Sequence, residues 1–181
     1  KLTIEYNGAT YHGWQLQNSA PSIQEELEKA AFKLCQTECR FFAAGRTDAG
    51  VHAKGMVAHV DIPRDMEAFK FMEAMNYHLK DVPISILHSE VVDEDFHARF
   101  SAKKRYYRYH IINRRAKLSL QRGLAWQIKE PLDVDLMQEA AQVLVGKHDF
   151  TTFRSVQCQS KSPIKTLESL NVSREGENIY V

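Results

Sequence analysis

The chain of 181 residues has 44% hydrophobic and 26% charged residues and a formal net charge of +1, an ordinary balance for a globular protein with a buried core. No apolar run approaches the roughly 18 residues of a membrane span, and the opening "KLTIEYNGATYHGW" alternates apolar with polar residues, unlike a signal peptide. Three cysteines, Cys35, Cys39 and Cys158, argue against a disulfide framework and for a reducing, cytoplasmic compartment, and no local Cys/His pair completes a zinc site.

In chain order, "LTIEY" (residues 2–6) alternates as a half-buried strand does, and Asn7-Gly8 turns the chain. "SIQE" is a capping box in which Ser22 opens a helix, with Ile23, Leu27, Ala30, Ala31 and Leu34 as its apolar stripe. Cys35 and Cys39, four residues apart, would share a face if both lay on that helix. "RFFAAG" and "GMVAHVDI" read as strands on either side of a glycine-rich loop. Residues 66–79 form a second helix with Met72, Met75 and Leu79 on one face, and "ISILHSEVV" a strand. "KRYYRYHIIN" reads as a strand in which Tyr107, Tyr109 and Ile111 alternate. A third helix starts at Asp133 or Asp135 and stops by Gly146, and "TLESLNVS" and "NIYV" are late strands.

The order β-α-β-β-α-β, then β-(β)-α-β-β, indicates an α+β fold with a largely antiparallel sheet. Its first half looks like a split βαβ unit, and its second half begins the same pattern. A boundary is expected near residue 100, giving an N-terminal half at 1–100 and a C-terminal half at 101–181. The chain stops at "NIYV" inside a strand, so these residues are expected to be a piece of a longer protein.

Two features carry chemistry. In "AAGRTDAGVHAKG" (residues 43–55), Gly45 and Gly50 allow close approach or positive φ. Asp48 is held out of the sheet there, with Arg46 close enough to keep its carboxylate ionised. Such a carboxylate serves as nucleophile or general base; equally, the stretch is a tight turn with a surface Arg-Asp pair. The second feature is a basic stripe: residues 97–129 contain no Asp or Glu but hold Arg99, Lys103, Lys104, Arg105, Arg108, Arg114, Arg115, Lys117, Arg122 and Lys129. It is either a solvated face or a polyanion contact. Interleaved Tyr106, Tyr107 and Tyr109 suit stacking on unpaired bases, although alternate strand tyrosines commonly pack in cores, and two of the three are expected there.

"AGRTDAGVHA" resembles the signature of the tRNA pseudouridine synthases of the TruA type. "IEYNGATYHGWQ" resembles that family's opening strand and loop, "DFHARFSAKKRYYRYHI" its second block, and "GKHDFTTFRS" with "VQCQSKSPIKTL" a later one. The pieces fall in the family's order from about residue 2 to residue 173. The resemblance implies two ferredoxin-like, split βαβ halves sharing a largely antiparallel sheet with helices on one face and an active-site cleft between them. It implies an isomerase that converts uridine to pseudouridine at positions 38–40 of the tRNA anticodon stem-loop, as a homodimer, with no organic cofactor and no metal. Asp48 falls on the family's catalytic aspartate, Arg46 on the arginine that seats the flipped nucleotide, and Tyr107 on the tyrosine that stacks on the uracil. Lys103, Lys104, Arg105 and Arg108 are the expected RNA contacts, and His52 reads as structural. Asp48 could add to the base, attack C1′ or take a proton from C2′.

The chain departs from the pattern in three places. Leu16 stands where many relatives carry arginine, which puts one RNA contact in doubt. Tyr106 takes a position often basic in relatives. The family's last block, which brings a basic residue to the aspartate, lies downstream of residue 181, so these residues are not expected to make a complete enzyme.

Overall fold

The computed structural model describes residues 1–154 and 162–181; Cys158 and most of "VQCQSKS" lie outside the described residues. The chain divides into two compact units, Lys1–Arg105 and Tyr106–Val181. Among the described residues their strands form three sheets, each drawn from one unit, and none of the three is shared between the units.

The first unit runs β1 (Leu2–Tyr6), α1 (Ile23–Cys35), β2 (Phe42–Ala43), β3 (Ala53–His59), α2 (Ala68–Leu79) and β4 (Ile84–Ser89). The strand order is β2-β3-β1-β4, and every neighbouring pair is antiparallel. β3 therefore lies between β1 and β2, the two strands that α1 connects. On β1 the alternation holds to the residue: Leu2, Ile4 and Tyr6 are buried and Glu5 is exposed. These three share one core with Ile23, Leu27, Ala30 and Ala31 of α1 and with Phe71, Met75 and Leu79 of α2. Ser22 caps α1 as its sequence demands, its hydroxyl accepting from the Glu25 N–H at 3.2 Å, while the Glu25 carboxylate pairs with Lys29 Nζ at 2.7 Å. α1 closes at Gln36, whose φ of 54° is left-handed, so Cys39 follows the helix instead of sharing its face. Cys39 is buried and both thiols are free; burial pushes the Cys39 thiol above its ordinary value, with the neighbouring Cys35 adding to the effect.

β3 also explains how the other face of the sheet is covered. Ala58 pairs with Leu2 and turns toward the helices, so its neighbour His59 turns the other way. His59 is nevertheless only 9% exposed. The turn around residues 96–101 lies over it: Ala98 N–H donates to His59 Nδ1 at 3.1 Å, and the rings of Phe42, Phe96 and His97 surround it at centroid distances of 5.1, 6.0 and 4.7 Å.

The second unit contains β5 (His110–Asn113), β6 (Trp126–Ile128), α3 (Val134–Gln142), β7 (Gly146–Asp149), a 3₁₀ turn at Thr151–Phe153, β8 (Ile164–Leu167), β9 (Ser173–Glu175) and β10 (Asn178–Tyr180). One sheet has the order β6-β5-β10-β9, and β7 pairs with β8. β5 and β6 are parallel, and the other pairs are antiparallel. Asp133 is the cap of α3, accepting from Leu136 N–H. Asn113 joins the elements: its Nδ2 donates to Ile128 O and Glu130 O, and its Oδ1 accepts from Leu132 N–H and Arg174 Nη2. "TLESLNVS" is not one strand, since β8 ends at Leu167 and β9 starts at Ser173.

The strand expected over 104–113 begins only at His110. Its ladder to β10 is extended by one reciprocal pair, Tyr109 with Val181 at 2.8 and 3.0 Å, and residues 104–108 carry none. Without a ladder the alternation has no face to bury. Tyr106, Tyr107 and Tyr109 are accordingly 87%, 75% and 70% exposed, where two had been expected in the core.

Burial, and then the neighbouring His97, hold the His59 imidazole below its ordinary value of 6.5. The folded state thus favours the neutral ring, which can accept the Ala98 N–H. Its contribution to stability is complete above about 6.5 and is lost as pH falls through the lower folded value. Urea unfolding from pH 8 to pH 5 should show this decline, and His59→Phe should flatten it while costing about 1–3 kcal/mol at pH 8 for the stranded N–H.

Candidate active site

The loop between β2 and β3 is pinned by two other stretches of the first unit. The segment after β1 approaches it closely enough to exclude side chains. A Cβ on Gly8 would lie 2.0 Å from Val51 O, and one on Gly13 would lie 2.4 Å from Thr47 O. Gly13 also has a φ of +91°, a region L side chains rarely adopt. The contact is bonded throughout. Trp14 N–H donates to Thr47 O at 3.0 Å and Gly50 N–H to Tyr11 O at 3.1 Å. Gly8 N–H donates to His52 Nδ1 at 3.1 Å, so His52 holds the loop, as the sequence suggested.

Asp48 opens a turn closed by the Val51 N–H to Asp48 O bond at 3.2 Å. Gly50, third in that turn, has a φ of +78°, as a type II turn requires. The side chains on either side of the turn differ in burial. Tyr6 is in the core, and its hydroxyl shares a hydrogen bond with Thr47 Oγ1 at 2.8 Å. Burial pushes the Tyr6 phenol above its ordinary value, against the Thr47 bond, which lowers it. The phenol therefore stays protonated near neutral pH and serves as a tie. Arg46 and Asp48 both face solvent. A turn and a presented carboxylate are here the same object: the backbone is fixed on both sides of Asp48 while the carboxylate is left outside.

The stripe contributes a third stretch. Arg105 Nη2 donates to Ala44 O at 2.6 Å, at the mouth of the same loop. Lys103 and Lys104 are exposed. Tyr107 and Arg108 belong to the second unit; the Arg108 guanidinium stands over the Tyr180 ring at 5.3 Å. Within the first unit, Arg46, Asp48, Lys103, Lys104 and Arg105 thus lie on the loop and on the strand-free segment that reaches it. Sequence reading missed Tyr6, Gly8 and Gly13 as parts of the site. The signal was present in "YNGATYHGW", where two glycines interrupt buried aromatics, but their partner at residues 47–51 is visible only in the fold. Among the described residues no group of three or more His, Cys, Asp or Glu is placed to hold a metal ion, and no helix is long and apolar enough to cross a membrane.

The family model described as tRNA pseudouridine synthase matches residues 140–181. The whole chain is 55% identical to a tRNA pseudouridine synthase A of Rhodopseudomonas palustris (strain HaA2), of which it covers 74%. It is 50% identical to those of Wolbachia pipientis wMel and Maricaulis maris (strain MCS10), covering 74% and 73% of them.

The loop contact yields a stability test. Gly13→Ala should cost about 2–4 kcal/mol in urea unfolding, from overpacking against backbone and from the positive φ. Gly55→Ala is the control: its Cβ would meet only Thr3 Cγ2 at 3.8 Å, and its effect should stay within about 0.5 kcal/mol.

Proposed function

The chain belongs to the tRNA pseudouridine synthase A family, tRNA-modifying isomerases, and from that premise we propose that it isomerises uridines at positions 38–40 of the anticodon stem-loop with Asp48 as the reacting carboxylate. One observation supports the choice of Asp48 most directly. The chain ties the backbone on both sides of this residue to Tyr11 and Trp14 and the neighbouring Thr47 hydroxyl to Tyr6, and leaves Asp48 itself exposed. A group that must meet a substrate atom in one geometry gains rate from being positioned in advance.

The reaction suits such a site. The N1–C1′ bond of uridine breaks, the uracil turns, and C1′ bonds to C5. C5 gives up its proton and N1 acquires one, so substrate and product have the same atoms and no electrons enter or leave. The enzyme must present a carboxylate to the nucleoside and hold a base that has left its stack, at a cost of a few kcal/mol. In this reading Arg46 seats the extruded nucleotide, and Tyr107, 75% exposed, supplies an aromatic face for the uracil. Lys103, Lys104 and Arg108 lie along the phosphates. The two units are the two ferredoxin-like halves, the working enzyme is a cytoplasmic homodimer, and neither metal nor organic cofactor takes part.

The full-length protein tests this with tRNA tritiated at uridine C5. The wild type should release tritium, and Asp48→Asn should bind tRNA with the same affinity and release none. Turnover retained in Asp48→Asn would remove the carboxylate from the chemistry. In the same protein Lys103→Gln and Lys104→Gln should each make the dependence of log affinity on log salt shallower by about one; an unchanged slope would return both to solvent.

A further inference from the structure

We infer that Arg105 is a positioning residue for the Asp48 loop, acting through Ala44 and Gly45. The inference rests on the reading of Asp48 as the reacting carboxylate. Ala44 is the last point at which the loop is tied to the sheet: its N–H donates to Val57 O at 2.8 Å. Its carbonyl accepts from Arg105 Nη2 at 2.6 Å. Both polar groups of one backbone residue are thus engaged, one by the sheet and one by a side chain distant in sequence.

Gly45 supplies the second half of the contact. A Cβ there would stand 3.3 Å from Arg105 Nε and 3.8 Å from its Cδ. Gly45 is not among the glycines with positive φ, so its backbone does not demand glycine. The guanidinium occupies the side where a side chain would grow. One residue later the chain enters Arg46-Thr47-Asp48.

Arg105 is itself held in place. The turn that precedes it is docked on the sheet by the Ala98 bond to His59. It is closed by the bonds from Phe100 and Ser101 N–H to His97 O at 3.0 and 2.8 Å. A planar guanidinium is suited to this task, because one fork both donates to a carbonyl and packs flat beside backbone. The residue that composition assigns to RNA is engaged by the catalytic loop.

The test uses the full-length enzyme with Arg105→Gln, Arg105→Ala, Arg105→Lys, Gly45→Ala and the double variant Arg105→Ala/Gly45→Ala. Single-turnover tritium release, tRNA affinity at several salt concentrations and thermal unfolding are measured for each. Positioning predicts that Arg105→Gln slows single turnover about ten- to a hundredfold, with affinity within about twofold and an unchanged salt slope. Arg105→Lys, which keeps one donor for Ala44, recovers part of the rate. Gly45→Ala slows the wild type but adds little in the Arg105→Ala background, which lacks the Cδ and Nε that stand beside Gly45. The inference is overturned if Arg105→Gln leaves the single-turnover rate intact while weakening affinity and lowering the salt slope by about one, the mark of a phosphate contact. It is equally overturned if the two substitutions multiply, or if only the melting temperature falls. Failure of the Asp48 reading would appear separately, as isomerisation persisting in Asp48→Asn.

Discussion

Two missing side chains set the geometry of this site. Gly8 and Gly13 let one loop lie on the backbone of another, since an added Cβ would stand 2.0 Å from Val51 O at Gly8 and 2.4 Å from Thr47 O at Gly13. The hydrogen bonds between the loops accompany that approach: Trp14 N–H and Gly50 N–H reach backbone carbonyls and Gly8 N–H reaches the His52 ring. The loop is held through its backbone and through the Thr47 and His52 side chains, and Asp48 between them faces outward.

The support is graded in depth. Tyr6 sits in the core shared by the helices and the sheet and reaches up to Thr47 with its hydroxyl. Arg105 reaches Ala44 with its guanidinium. Between them the loop is gripped at its entry and beside Asp48, by one exposed charged group and one buried neutral one. The buried hydroxyl is neutral and bonded, so it avoids the cost of an unpaired polar group in the interior. The guanidinium keeps part of its hydration.

Most of the first unit was legible because its signals are local. β1 alternates, α1 carries its own cap at Ser22, and α2 shows its apolar face within its own residues. The glycine loop was legible as a loop and, through its resemblance, as a candidate site. What escaped depended on distant partners. His59 looked like an ordinary strand residue until the turn at 96–101 covered it. The tyrosine run had strong strand propensity, but propensity yields no strand where a ladder is missing, and residues 104–108 have none. Arg105 read as one cation among ten in the stripe, since nothing in its neighbourhood of sequence marks a bond to Ala44. Asn113, which joins strands and α3, was invisible for the same reason.

The loop around Asp48 is fastened by residues that lie on both sides of it in the chain. Tyr6, Tyr11 and Trp14 come first, and Arg105 comes last. During synthesis the early half of this clasp emerges with the loop, whereas the late half is still tens of residues from translation. A nascent chain ending after α2 would contain the complete signature yet lack its second fastening. Assembly of the site is therefore a late event on the ribosome, coupled to the emergence of the segment up to Arg105, and its contacts belong to the non-local class that slows folding.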